Sequence, residues 1–213
     1  MKRNQSGFTL IEIAIVLVII GLLLGGVLKG QELINSAKVK NLAGDFKNIP
    51  VFIYGYQDKF KALPGDDRNA LTNVSGTAAT GTANGLIDGL WLPAAVGDES
   101  ALLWQHVRLA KLAPGETTVA VGAVNTFQPK NAVGGFVGVT GAANTPISGL
   151  LGSYIVCSDS IAGKFAKQLD ITLDDGVTNT GSLRVTRAGV TAATAATTPP
   201  LVDDTPYLVC MGL

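Results

Sequence analysis

The chain has little of what catalytic and metal-binding proteins usually use. Its 213 residues contain one histidine, two cysteines and only 15% charged residues, and 16 basic residues balance 16 acidic ones. One histidine nearly excludes a histidine-rich metal site, and two cysteines cannot form a four-thiolate zinc site or a disulfide-dense scaffold. Because the net charge is zero, a strongly basic nucleic-acid binder is excluded, and we expect no nucleic-acid partner.

The motifs of common enzyme classes are also missing. No serine lies in a G-x-S-x-G elbow, and the sequence contains no phosphate-binding loop or dinucleotide fingerprint. The single histidine, His106, lies beside Trp104 in a predicted helix, which is more typical of a packing residue than of a general base. We therefore predict that the protein is not an enzyme. Its 47% of hydrophobic residues also excludes a disordered polar chain.

The hydrophobic residues are concentrated near the start of the chain. Residues 8–28 read FTLIEIAIVLVIIGLLLGGVL, with Glu12 as the only charge. As a helix this run would be about 32 Å long, which is enough to cross a hydrocarbon core. Lys2 and Arg3 precede it, so we expect a cytoplasmic N-terminus and export of the rest of the chain. The run is longer than that of an ordinary signal peptide, and no A-x-A-like cleavage site follows it.

The segment GFTLIEIAIVLVIIG, residues 7–21, resembles the cleavage and methylation segment of type IV prepilins and type II secretion pseudopilins. The resemblance implies that a prepilin peptidase cuts between Gly7 and Phe8 and methylates the new N-terminus, so that the apolar run is kept. It also places the acidic residue of this family at Glu12. The partners that it implies are the peptidase, an inner-membrane assembly platform, the membrane and further copies of the chain in a helical filament.

Glu12 is costly inside an apolar span unless it is paired or protonated. The amine released at Phe8 is a cation at most cytoplasmic pH values. In a filament, a neighbouring subunit could bring its amine to Glu12, and a wrong register would leave a buried charge unpaired. We therefore predict that Glu12 forms an assembly salt bridge that selects the register of the subunits.

Beyond the apolar run, hydrophobic residues recur at alternating spacings of three and four, which predicts one buried stripe on a helix. The stripe consists of Val39, Leu42, Phe46, Ile49, Ile53, Tyr56 and Phe60. Pro50 predicts a kink, and Pro64-Gly65 predicts that the helix ends near Leu63. We divide the chain into a leader (1–7), a transmembrane or filament-core helix (8–30) and a globular domain (31–213) that includes the amphipathic half of the helix.

The remainder of the chain predicts short strands without a βαβ rhythm. Strands are expected over 117–124, 136–140, 151–157, 182–186 and 207–211, helices over 98–112 and 161–169, and loops over 73–84 and 188–200. The predicted fold class is α+β, with the long N-terminal helix packed against an antiparallel sheet. The resemblance to pilins implies the same architecture.

Cys157 and Cys210 both follow the apolar run, on the side expected to be exported. A disulfide is the default there, and two buried free thiols are the alternative. A bond between the last strand and the rest of the sheet also resembles the C-terminal loop of many pilins.

Several aspartates lie in turn-like segments that resemble recurring segments of long prepilin-like proteins of Gram-negative bacteria. Asp66, Asp67, Asp88, Asp174 and Asp175 offer hard oxygen ligands for calcium, and some pseudopilins bind calcium in such a loop. The spacing is not that of an EF-hand, and Asp-Asp-Gly and Pro-Gly-Asp are ordinary turn sequences. We therefore expect turns and no cofactor, with calcium as the weaker alternative.

The predicted function is that of a structural subunit of a type IV pilus or pilus-like filament, polymerised through the apolar helix. The alternatives are a type II secretion pseudopilin, or a minor tip or adhesin subunit that acts as a membrane-anchored binding module. Glu12 favours the first, because some tip subunits lack this carboxylate. We expect a single-pass protein of the inner membrane with a periplasmic domain, which then enters a surface pilus or a periplasmic pseudopilus.

Overall fold

The computed structural model describes residues 7, 9–81, 83–119 and 124–213. Phe8, one of the two predicted processing residues, lies outside the described residues. The chain divides into two compact units, residues 1–37 (the N-terminal unit) and residues 38–213 (the globular unit).

One helix, α1 (Leu10–Phe60), contributes to both units. Its first half is long and apolar enough to cross a membrane, judged by length and composition, and the most apolar stretch is not buried. In the globular unit the predicted stripe is buried from Val39 to Tyr56, and Phe60 is half-buried. The helix continues through Pro50 and ends at Phe60, three residues earlier than expected.

Within its described residues, the globular unit adds four shorter α-helices, a 3-10 helix (Ala142–Asn144) and four strands to α1. The elements are α2 (Ala70–Val74), α3 (Glu99–Leu109), α4 (Val124–Phe127), β1 (Val137–Gly141), β2 (Tyr154–Ala162), α5 (Gly163–Leu173), β3 (Leu183–Arg187) and β4 (Pro206–Gly212). The strands form one sheet in the order β1-β2-β4-β3, and each pair of neighbours is antiparallel. The predicted α+β class with an antiparallel sheet is confirmed.

Two strand predictions differ from the structure. The strand predicted over 117–124 is not found in the described part of that segment, because residues 117–119 are not in a strand and Val124 begins α4; residues 120–123 lie outside the described residues. Gln105 donates a side-chain hydrogen bond to the Thr117 carbonyl (3.1 Å), and Val119 packs against the core, so this apolar segment is held by a helix instead of a sheet. Strand β2 begins three residues later than predicted and continues to Ala162.

Both faces of the sheet are covered. Because successive side chains of a strand point to opposite faces, alternate residues belong to different hydrophobic clusters. One face packs against α1, α3 and α5 through residues such as Val139, Val156 and Val209. The other face carries a smaller cluster, formed by Trp91, Ile147, Leu150, Ile155, Cys157, Leu208 and Cys210, on which Val190 and Ala196 of the 188–200 loop pack. The Trp91 indole donates a hydrogen bond to the Val190 carbonyl (2.7 Å), which holds this loop over the sheet.

Candidate functional site

The first turn of α1 is closed by a reciprocal pair of residues. The backbone N–H of Thr9 donates to Glu12 Oε2 (2.8 Å), and the Thr9 hydroxyl donates to the same oxygen (2.7 Å). In return, the backbone N–H of Glu12 donates to Thr9 Oγ1 (3.3 Å). This is a capping box, in which a Thr before the helix and a Glu three residues later satisfy each other's backbone donors. Our sequence analysis missed it, although the T-x-x-E spacing just before an apolar run is its signal.

The surface around Glu12 is almost entirely apolar. The large apolar side chains between Leu10 and Leu28 are exposed; Leu10, for example, is 88% exposed and Leu28 is 67% exposed. The ion pairs found between described residues do not include Glu12. Its carboxylate is therefore held by its own helix start within one chain, and its pairing with an amine of another subunit stays a prediction.

Comparison with known proteins addresses this same segment. A family model described as the prokaryotic N-terminal methylation motif matches residues 2–28. The chain carries the hallmark of prepilin-like proteins. This motif is typical of type IV pilins and pseudopilins, and the recognition made from residues 7–21 is confirmed. The motif, α1 and the antiparallel sheet together form a pilin-like α+β architecture.

No curated protein and no solved structure matches the chain at a significant level. The motif ends at residue 28, so it does not extend into the globular unit. The polar groups of that unit must therefore be interpreted from their own geometry.

Cys157 and Cys210 are joined in a disulfide bond. They lie directly opposite each other on the paired strands β2 and β4, with their Cα atoms 4.1 Å apart. Both are fully buried beneath the loop-covered face of the sheet. The bond therefore ties the last strand to the middle of the sheet, which is a structural role.

His106 is fully buried at the junction of α1, α3 and the turn that follows α1. Its Nδ1 accepts a hydrogen bond from the Gly65 amide (3.0 Å), and its Nε2 contacts the Thr77 carbonyl (2.7 Å), so Nε2 carries the proton. Its ring stacks on Tyr56, with centroids 5.9 Å apart. Burial lowers the pKa of His106, and the neutral ring acts as a buried link between segments.

Asp67 is a turn residue, and both of its carboxylate oxygens accept hydrogen bonds. Its Oδ2 accepts from the Tyr56 hydroxyl (2.7 Å) and the Asn73 amide (2.8 Å), and its Oδ1 accepts from the backbone of Asn69 (2.7 Å). Gly65, two residues before Asp67, must be a glycine. Its φ is +96°, and a Cβ at this position would lie 2.5 Å from the carbonyl oxygen of Glu99.

Asp66, Asp88 and Glu99 form a second polar corner near the start of α3. Asp66 Oδ2 accepts from the Gly85 amide (2.7 Å), and Glu99 Oε2 accepts from the Asp88 amide (2.8 Å). Burial raises the pKa of Glu99, and the charges of Asp66 and Asp88 act in the same direction. Backbone amides thus use part of the ligand capacity of these carboxylates.

A third acidic group includes two of the predicted candidates and one residue that we did not predict. Asp174 and Asp175 lie with Asp170 so that one carboxylate oxygen of each is within 4.8 Å of the others. Within the described residues this is the one group of three or more potential metal ligands that meets this distance. Asp170 precedes Asp174 by one helical turn. The only signal in the sequence that could have indicated Asp170 as a member of this group is its i, i+4 spacing from Asp174 at the end of α5.

Proposed function

We propose that the protein is a structural subunit of a type IV pilus or pilus-like filament. In this proposal a prepilin peptidase cuts between Gly7 and Phe8, and the processed chain polymerises through residues 8–30. The observation that carries the proposal is the exposed apolar surface of α1 over residues 10–28, which lies within the methylation motif and contains Glu12 as its single carboxylate.

That apolar surface must be covered in every state of the protein, because exposed apolar area of this extent is unfavourable in water. Lipid would cover it before assembly, and the helices of neighbouring copies would cover it in the filament. The basic residues Lys2 and Arg3 support an orientation with the globular unit outside the cytoplasm. The proposed partners are the peptidase, the inner-membrane assembly platform, the membrane and further copies of this chain.

The proposal is tested by shearing cells of the native host and examining the released material by immunoblotting and immunogold electron microscopy. We expect the chain in filaments of the sheared fraction. Glu12→Ala should leave membrane insertion intact, since it removes a charge from an apolar span, and should greatly reduce filament yield.

Two results would redirect the proposal. Filaments that span the periplasm without reaching the surface would identify a secretion pseudopilus. Labelling confined to filament ends, with an unchanged filament yield after Glu12→Ala, would identify a tip subunit and contradict a structural role in the shaft.

A further inference from the structure

A groove of about 340 Å³ lies in the globular unit between α1, α3 and the chain segments that follow α3 and precede β1. We call it the α1–α3 groove. Its apolar lining includes Ile49, Phe52, Trp104 and Val137. The groove is partly open to solvent, and its volume is at the lower end of the range of cavities that hold small organic ligands.

Asp45 of α1 supplies the carboxylate of this groove. The residue is half-buried, and no described residue forms a hydrogen bond or an ion pair with its side chain. Burial raises the pKa of Asp45 to about 6, and it is the one cause of this shift among the described residues. At neutral pH the carboxylate is thus mostly ionised beside an apolar lining, where a charge without a counter-charge is unfavourable.

Two basic residues near the lining do not neutralise Asp45. Lys130 lines the groove, but its ammonium lies over the ring of Phe136, 5.6 Å from the ring centroid. Arg108 lies over the ring of Trp104, 5.7 Å from the ring centroid, and donates its hydrogen bonds to backbone carbonyl groups. Both cations are therefore held elsewhere, and a counter-charge for the groove has to come from a ligand.

We propose that the α1–α3 groove binds a small organic cation, with a primary ammonium group at Asp45 and a flat apolar body against Phe52 and Trp104. Charge complementarity selects a cation over an anion, and aromatic rings favour both an ammonium group and an apolar body. Asn48 lies three residues after Asp45, on the same face of α1, and offers an amide oxygen to the ammonium. The volume limits the ligand to about one aromatic ring with a short amine chain. This inference does not depend on the filament function.

The site is tested by titrating the full chain, in a non-ionic detergent at pH 7.5, with 2-phenylethylamine, which is a cation at this pH. Tryptophan fluorescence follows the binding. Of the two tryptophans, Trp104 lines the groove and Trp91 lies in the cluster on the other face of the sheet. We expect a saturable change with a dissociation constant of about 1 mM or below. Phenylacetate, an anion of similar shape, should bind at least about tenfold more weakly.

Three variants locate the ligand. Asp45→Asn keeps the shape of the groove, removes its charge and should weaken the binding of 2-phenylethylamine at least about tenfold, while its Tm without ligand equals or exceeds that of the native chain. Asp58→Asn is the matched control and should keep the native affinity, because Asp58 is an exposed residue of the same helix that pairs with Lys61 (3.1 Å) outside the groove. Phe52→Leu keeps an apolar side chain but loses the ring, and should weaken the binding of the amine about two- to fivefold.

The proposal is overturned if the native chain shows no saturable change up to about 10 mM 2-phenylethylamine, or if phenylacetate binds as tightly as the amine. It is also overturned if Asp45→Asn keeps the native affinity. If Asp45→Asn does not fold, the comparison of the two ligands on the native chain still decides. Self-association of the globular unit that Asp45→Asn abolishes, without binding of the amine, would assign the groove to a second copy of the chain and would likewise overturn the proposal.

Discussion

The hydroxyl of Thr9 lies 2.7 Å from Oε2 of Glu12, and the two residues cap the first turn of α1 reciprocally. In a hydrocarbon environment the free backbone donors at a helix start have no water to bond with, so an internal cap is especially favourable there. Glu12 therefore has a contact within its own chain that is separate from any pairing between subunits. A substitution of Glu12 by alanine removes both, and the two effects must be separated.

Glu12→Gln and Thr9→Val separate the charge from the cap. Glutamine also serves in a capping box, so Glu12→Gln keeps the cap and removes the charge. Thr9→Val keeps the carboxylate but loses the side-chain cap, at a cost of about 1 kcal/mol. If the charge governs assembly, Glu12→Gln should reduce the filament yield in sheared fractions at least about tenfold, because an unpaired buried amine costs about 3–5 kcal/mol.

Under the same conditions Thr9→Val should assemble most of its filaments. Intact-mass measurements must first show that both variants are processed like the native chain. Equal losses in the two variants would mean that Glu12 acts mainly through the cap, and the predicted assembly salt bridge would then be wrong.

Cleavage is expected between Gly7 and Phe8, followed by methylation of the Phe8 amine. The mass of the protein from its native host should equal that of residues 8–213 plus one methyl group. Gly7→Ala should be cut in part, and a larger side chain at residue 7 should block cleavage and leave the full chain in the membrane. A native mass that still includes residues 1–7, in a host with a working prepilin peptidase, would contradict the prediction.

Replacing both Cys157 and Cys210 by alanine should destabilise the globular unit. Their separation of 53 residues corresponds to about 4 kcal/mol on the chain-entropy model, and chemical denaturation measures the loss. Because both residues are fully buried, a reductant without denaturant should break the bond slowly. Non-reducing peptide mapping should find the linked pair, whereas quantitative labelling of two free thiols on native protein would exclude the bond.

His106 should make stability depend on pH. Burial lowers the pKa of His106, so below pH ~6.5 the unfolded chain binds a proton that the native state does not. The free energy of unfolding that this residue contributes is therefore fully present above pH ~6.5 and is lost as the pH falls toward the lowered native pKa. His106→Gln should cost about 1–3 kcal/mol at pH 7.5, since the Gly65 amide and the Thr77 carbonyl lose their partner.

The difference in stability between the native chain and His106→Gln should then shrink from pH 7.5 to pH 5. Urea denaturation at several pH values measures this difference. Burial raises the pKa values of Asp45 and Asp170 to about 6, so these residues change the free energy of unfolding with pH in the direction opposite to His106. Both proteins contain them, so their contributions cancel in the difference. A difference that is constant with pH would show that His106 has the same pKa in the native and unfolded states, and would contradict the prediction.

Much of the fold could be predicted from residues that interact along the chain. The buried stripe from Val39 to Tyr56 follows from helical periodicity, which is a local property. The late strands near Leu183 and Tyr207 follow from β-branched and aromatic runs bounded by turn residues. The segment 117–124 shows the limit of this approach, because its composition is strand-like, yet its described residues 117–119 are not in a strand and the Thr117 carbonyl accepts from Gln105 of α3.

By itself, the sequence determined the N-terminal motif, the apolar run and the α+β class, because each depends on neighbouring residues and on helical or strand periodicity. Only the tertiary structure decided which residues meet across long separations. The register of β2 on β4 places Cys157 opposite Cys210, and the fold lays the 188–200 loop over Trp91. The buried state of Asp170 likewise depends on the packing of α5 against the sheet, since burial is a property of the assembled core and not of the local pattern.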